Sequence, residues 1–265
     1  MDLMQAKNFS LAKYCERIGY EGELKANENT LRLLMRHQLM TVPFENLDVL
    51  DGKLVSLVPE KIVRKIVDCN RGGYCYEVNG LFALALEALG IEYQFVAARP
   101  MFYPTKRPKT HMAIIAKVDG RELLCDLGFG SYGIRAPMDL GQSGRSIEQD
   151  YDTFMLEKSE AGEYLLKAYV EGAWANQYAF DSHPWEWIDF APANYLNSTH
   201  PDAIFVQKRL VIIQNLAGRT ILLDASLQAI QNGVTNKMEI EAGKIDVALE
   251  TYFGLMRLEG NCNYE

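Results

Sequence analysis

Apolar periodicity changes from helical spacing to a period of two near Gly90, and that change limits the folds open to this chain. Before it, apolar residues recur at helical spacing. Leu31, Leu34, Met35 and Leu39 form one stripe, with Asn29 or Thr30 as its candidate cap and Pro43 as its stop. Pro59 opens a second helix whose inner face is Ile62, Val63, Ile66 and Val67. A third begins after Arg71-Gly72-Gly73 and carries Val78, Leu81, Phe82, Ala85, Leu86 and Leu89, with Gly90 in the place of a glycine C-cap. From Glu92 the period is two. Strands are predicted at 93–98, 111–118, 121–127, 153–157, 164–171 and 173–180. A helical stretch at 184–195, strands at 209–214 and 220–223, and a closing helix at 240–253 complete the pattern. The result is an α+β chain whose short antiparallel strands suit a barrel or a sandwich.

A chain of 265 residues suits two or three subdomains rather than one small core. Its net charge of −8 argues against a nucleic-acid partner, because a phosphate backbone needs a basic footprint. There is no run of about 18 apolar residues and no signal-peptide core at the start, so no membrane span and a cytoplasmic location are expected. The five cysteines (Cys15, Cys69, Cys75, Cys125 and Cys262) are an odd count without a CxxC pair. That argues against a disulfide framework and against a zinc site. Four histidines without HxxxH-type spacing give no catalytic metal site.

Cys75 follows two glycines and opens a helix. Unpaired backbone N–H groups and the helix dipole at such a position favour a thiolate. Position alone fits a buried structural cysteine equally well. The hairpin at Asp119-Gly120 adds the second half of a site, since Asp-Gly is a type I′ turn signal. With those two residues as the loop, Val118 pairs with Arg121. Counting back, His111 faces Gly128 and Asp126 faces Ala113, so His111 and Asp126 share a face as diagonal neighbours. Diagonal residues lie roughly 7–8 Å apart, within reach of a His–Asp hydrogen bond. The same register sets Lys117 opposite Glu122 as an ion pair at the solvent end. A carboxylate behind an imidazole fixes its tautomer, and an imidazole beside a thiol takes its proton. Cys69 and Cys125 read as structural, Cys15 and Cys262 have no constellation around them, and His183 and His200 precede prolines as turn residues.

These residues resemble a known family. The run Arg71-Gly72-Gly73-Tyr74-Cys75-Tyr76-Glu77-Val78-Asn79-Gly80-Leu81-Phe82 is similar to the active-site motif of the arylamine N-acetyltransferases. Val42-Pro43-Phe44-Glu45-Asn46-Leu47-Asp48 resembles their upstream motif. Thr110-His111-Met112 and Asp126-Leu127-Gly128-Phe129-Gly130 resemble the histidine and aspartate motifs, in the family's order. Residues 194–205 resemble a later segment, with Ala203 where relatives often carry serine.

The resemblance implies an N-terminal helical bundle over 1–91 carrying the nucleophile, a central antiparallel β-barrel over 92–200 carrying His and Asp, and a C-terminal α/β lid over 201–265, around a cysteine-protease-like catalytic core. It implies a Cys75, His111, Asp126 triad and a ping-pong reaction. Acetyl-CoA would be the co-substrate, with no permanently bound cofactor and no metal. A small aromatic amine, hydrazine or N-arylhydroxylamine would be the acceptor, and the protein a monomer or homodimer. Arg71 and Glu45 would form a structural ion pair. Phe44, Phe129 and Phe205 would line the pocket, and Thr110 and Gly130 would lie close to CoA. Polyanionic CoA on an acidic protein calls for a local positive patch, with Lys106, Arg107, Lys109, Lys208 and Arg209 as candidates. A cysteine hydrolase or an amide synthase would use the same triad without CoA, and these are the alternatives.

Overall fold

The computed structural model describes residues 5–256, 262 and 264. Its first part is helical: α1 (Leu11–Ile18), α2 (Glu28–Thr41), α3 (Leu47–Leu50), α4 (Pro59–Val63) and α5 (Cys75–Ala88). α1 has no counterpart among the predicted helices, although Ser10 caps its start and Gly19 ends it in the left-handed conformation. α2 begins two to three residues earlier than expected, because the cap is Asn27 rather than Asn29 or Thr30, its side chain accepting from the Thr30 N–H. α4 runs on into a π-helical turn, Arg64–Asp68. Every residue of α5 from Cys75 to Leu86 is buried, so this helix is the centre of the core rather than a surface element.

The strands are β1 (Phe44–Glu45), β2 (Glu92–Pro100), β3 (His111–Val118), β4 (Arg121–Cys125), β5 (Met138–Asp139), β6 (Ser146–Gln149), β7 (Asp152–Lys158), β8 (Tyr164–Val170), β9 (Ala173–Phe180), β10 (Leu210–Asn215), β11 (Gly218–Leu223), β12 (Ser226–Gln231) and β13 (Val234–Glu239). Eight form an antiparallel sheet in the order β5-β4-β3-β2-β9-β8-β7-β6, an open half-barrel that packs against α5. The other five form a second sheet, β1-β10-β11-β12-β13. β1 therefore carries a piece of the helical region into the second sheet, with Phe44 opposite Ile212. Three late helices follow the strands around them: α6 (Ala191–Thr199), α7 (Ile204–Gln207) and α8 (Ile245–Phe253). Among the described residues no helix is long and apolar enough to cross a membrane.

β12 and β13 were not expected. β13 is exposed along its whole length, so no burial alternation marks it, yet Asn232-Gly233 between them, both at positive φ, is a hairpin signal. The closing helix starts at Ile245, after a 3₁₀ turn at Ala242–Lys244. β4 stops at Cys125, because the Leu127 N–H leaves the ladder to donate to the Asn79 side chain.

The Asp119-Gly120 turn forms as predicted, with φ of 50° and 73°. Val118 pairs with Arg121 and Ile114 with Cys125, the expected register. Lys117 stands opposite Glu122 but its Nζ bonds Glu92 at 2.7 Å, since Glu92 is its partner on the other side, in β2.

One expectation is overturned. Cys69 and Cys262 form a disulfide with Cα atoms 5.7 Å apart, across 193 residues of sequence. An odd count leaves Cys15, Cys75 and Cys125 free rather than excluding a pair. Spacing rules register neighbours in sequence, and this pair is made only by folding.

Candidate functional site

Cys75 is the first residue of α5, and the chain enters it through an extended Tyr74. The Tyr74 N–H donates to Glu77 Oε2 at 3.0 Å, so the third helical residue caps the turn that holds the thiol. The preceding loop is clamped to the upstream motif. Gly73 N–H donates to the Pro43 carbonyl and Glu45 N–H donates back to the Gly73 carbonyl, at 3.2 and 3.0 Å. Gly72 is required here, because a Cβ would lie 2.1 Å from the Pro43 oxygen.

A buried ion cluster anchors the same loop. Lys65 Nζ lies 2.7 Å from both Asp48 and Glu77, and Arg71 Nη2 lies 2.8 Å from Glu45. Burial disfavours the Lys65 ammonium, but Glu77, Glu45 and Asp48 outweigh it and push its pKa up. Burial likewise opposes the Asp48 carboxylate, and Lys65 and Arg71 overcome it, lowering its pKa to about 2. Tyr264 closes the cluster: its hydroxyl accepts from Arg71 Nη1 at 2.5 Å and donates to Asp48 Oδ1 at 2.8 Å. Arg71 and Glu45 pair as expected; Lys65, Asp48, Glu77 and Tyr264 had no assigned role.

His111 opens β3 and Asp126 follows the last residue of β4. His111 Nε2 lies 2.7 Å from Asp126 Oδ2, which leaves Nδ1 for the Cys75 thiol. Burial opposes the imidazolium, but the Asp126 carboxylate and then the Cys75 thiol outweigh it and hold the His111 pKa up at about 10. Asp126 Oδ1 accepts from Asn79 Nδ2 at 3.2 Å and from the Gly128 N–H at 3.0 Å. Asn79 also donates to the Met112 carbonyl at 2.8 Å. It stands one helical turn after Cys75, so i, i+4 spacing was the signal that could have drawn it into the site. Tyr178 of β9 packs its ring 5.0 Å from His111 and 4.9 Å from Phe129, a placement with no local sequence signal.

Burial pushes the thiols of Cys15 and Cys125 up. Cys75 lines a cavity of about 390 Å³ together with His111, Thr110, Phe129, Gly130 and Phe205. Phe44, expected on the wall, stands one layer behind it. It packs its ring 5.9 Å from Phe205 and fills the space that a Cβ on Gly130 would enter. Of the basic candidates, Arg107 lines the cavity and stacks its guanidinium 4.7 Å from the Tyr103 ring. Lys109 bonds Asp181 at 2.6 Å and Lys208 bonds Asp224 at 2.8 Å, so both charges are engaged away from it. His200 combines two roles: its Nδ1 accepts from the Asp202 N–H, and it lines the cavity. Among the described residues no cluster of His, Cys, Asp and Glu could hold a metal.

The arrangement suits acyl transfer. A cysteine at a helix start, an imidazole oriented by a carboxylate and an apolar chamber beside them can form and protect a thioester. The N-acetyltransferase family profile matches residues 28–261. The arylamine N-acetyltransferase of Mycolicibacterium smegmatis is 30% identical over 92% of this chain and 91% of its own. Among solved structures, the arylamine N-acetyltransferase of M. tuberculosis superposes with a TM-score of 0.88 at 31% identity, covering 93% of each chain. The Mycobacterium marinum enzyme in complex with CoA superposes at 0.87 with 30% identity, covering 92% of each.

Proposed function

The chain belongs to the arylamine N-acetyltransferase family of acyltransferases, and from that premise we propose that it carries an acetyl group from acetyl-CoA to arylamines, arylhydrazines or N-arylhydroxylamines through a thioester on Cys75. The observation that carries the reading is the His111–Asp126 bond of 2.7 Å beside a thiol at the first position of α5.

In the first half-reaction His111 holds the thiol proton as imidazolium, and the Cys75 sulfur attacks the thioester carbonyl. The Cys75 backbone N–H, free of an intrahelical partner at the first helical position, would donate to the oxyanion, together with a nearby loop amide. The tetrahedral species collapses, His111 returns the proton to the departing CoA sulfur, and acetyl-Cys75 remains. In the second half-reaction the amine nitrogen attacks that thioester. His111 takes the amine proton, and the thiolate of Cys75 leaves with the amide formed. Asp126 keeps Nε2 occupied throughout, so Nδ1 handles the proton in both directions.

The walls fit the two substrates in turn. Phe129 and Phe205 offer ring faces to an aromatic acceptor. Arg107, on the cavity wall, would meet a phosphate of CoA, and the CoA complex of the M. marinum relative supports CoA as the carrier of the acyl group. We assign the nucleophile to a 1–91 unit, base and carboxylate to 92–200, and the cavity roof to 201–265.

The test is intact-protein mass spectrometry after mixing with acetyl-CoA and no acceptor, with Cys75→Ala as control. One acetyl adduct, absent in the control and lost on adding an arylamine, is the expected result. Continuous CoA release without acceptor would indicate a hydrolase. No adduct with a reactive Cys75 would indicate another acyl donor, as an amide synthase requires.

A further inference from the structure

The residues just before the nucleophile and just before the base are both held by one helix. The β2–β3 ladder ends at the Ala98–His111 pair, so Thr110 is the first residue beyond it. Its carbonyl accepts from two side chains instead. Tyr76, the residue after Cys75, donates its hydroxyl at 2.8 Å, and Asn197 of α6 donates Nδ2 at 3.0 Å. On the nucleophile side, Tyr74 is the first residue before α5. Its hydroxyl bonds the Asn194 side-chain oxygen and lies 2.9 Å from Ser198 Oγ. Asn194 in turn donates to the Val55 carbonyl at 2.8 Å. Asn194, Asn197 and Ser198 occupy one buried turn of α6.

Three buried polar side chains on a nine-residue helix are costly unless each is paired, and here each is paired to the approach of a reacting residue. Core packing would be served by Leu or Ala at these positions. Asn197 also lines the cavity beside Cys75, so the helix that sets the spacing is in contact with the substrate chamber.

We propose that α6 is a polar brace in which Asn197, acting with Tyr76 on the Thr110 carbonyl, is a positioning residue that fixes His111 against Cys75. Asn194 and Ser198 hold the Tyr74 side of the same brace. Neither Asn197 nor Tyr76 acts on substrate atoms; each acts through Thr110 on where the imidazole stands. The inference rests on the reading of Cys75 and His111 as nucleophile and base, but not on the acyl donor.

The experiment is the pH profile of Cys75 alkylation by iodoacetamide, followed on the Cys75 peptide by mass spectrometry. Asn197→Ala lowers the rate near neutral pH about tenfold and displaces the profile to higher pH, because a small misplacement of the base weakens its hold on the thiol proton. Asn197→Asp, of the same shape but with no proton to donate when ionised, loses more. Tyr76→Phe keeps the ring and its packing and reads the other donor on the same carbonyl, even where Asn197→Ala folds poorly. The double variant falls by more than the product of the two, since only it removes both side-chain donors from the half-buried Thr110 carbonyl. Thr199→Ala, on the exposed face of the same helix, keeps the wild-type profile. A wild-type profile in the double variant, or an equal loss in Thr199→Ala, overturns the brace. Rapid alkylation of wild-type Cys75 without acetylation by acetyl-CoA overturns the acetyl donor and leaves the brace standing.

Discussion

Gly128 packs directly on Cys75: a Cβ built on the glycine would lie 2.5 Å from the Cys75 Cα and 2.9 Å from a Val78 methyl. The loop that carries Asp126 and the helix that carries the thiol therefore meet at backbone distance. Gly128→Ala must push them apart. Displacement of about 1 Å in a catalytic array costs roughly a hundredfold in rate, so kcat/KM for acetyl transfer falls by about that factor. Steady-state kinetics on the purified variant checks this, and an alanine variant with full activity would contradict the contact.

Asp126→Asn keeps the shape of the site and reverses one hydrogen bond. With the Asn oxygen kept on the two donors that Oδ1 now accepts from, Asn79 and Gly128, the amide NH2 faces His111 Nε2 and must donate to it. The imidazole is left in the wrong tautomer, and acetyl transfer falls by roughly 10³–10⁴-fold. The His111 pKa, held at about 10, also drops, because burial then acts without the carboxylate. Titration of the His111 ring signals by NMR measures the drop directly.

The same raised pKa has a stability consequence whose sign is fixed. The folded state binds the His111 proton more tightly than the unfolded chain does. The contribution of the pair is complete below the unfolded value of about 6.5, shrinks above it and is gone once pH passes about 10. Urea unfolding of the wild type and Asp126→Asn across that window shows the wild-type advantage declining with pH. An advantage that grows with pH would contradict the pairing.

Lys65 is 3% exposed and serves three carboxylates, Glu45, Asp48 and Glu77. Lys65→Met leaves Arg71 alone to balance them and destabilises the fold by about 3–5 kcal/mol. Thermal unfolding detects this as a large fall in Tm. Glu77→Gln in the Lys65→Met background recovers part of it, because one uncompensated carboxylate is removed.

The Cys69–Cys262 bond closes a 193-residue separation and holds the segment that delivers Tyr264 to Arg71 and Asp48. Cys262→Ser therefore costs about 2–4 kcal/mol. Peptide mapping without reductant finds the linked pair in the wild type, whereas two alkylatable thiols at 69 and 262 would exclude it.

What the sequence determined by itself was local. Asp119-Gly120 adopts positive φ at both positions for steric reasons internal to the turn, and the period of two then directs His111 and Asp126 toward one face, with Asn79 of α5 holding Asp126 beyond the end of β4. Arg71-Gly72-Gly73 ahead of an apolar helix likewise marks Cys75 as a helix start. The Asn232-Gly233 hairpin is written in the sequence by the same chemistry. What only the tertiary structure decided was long range. The Lys65 cluster, the Cys69–Cys262 pair, the retreat of Phe44 behind Gly130 and the grip of α6 on Thr110 and Tyr74 join residues far apart in sequence. Such contacts depend on which surfaces share a core, and a dihedral preference or an apolar period carries no information about that.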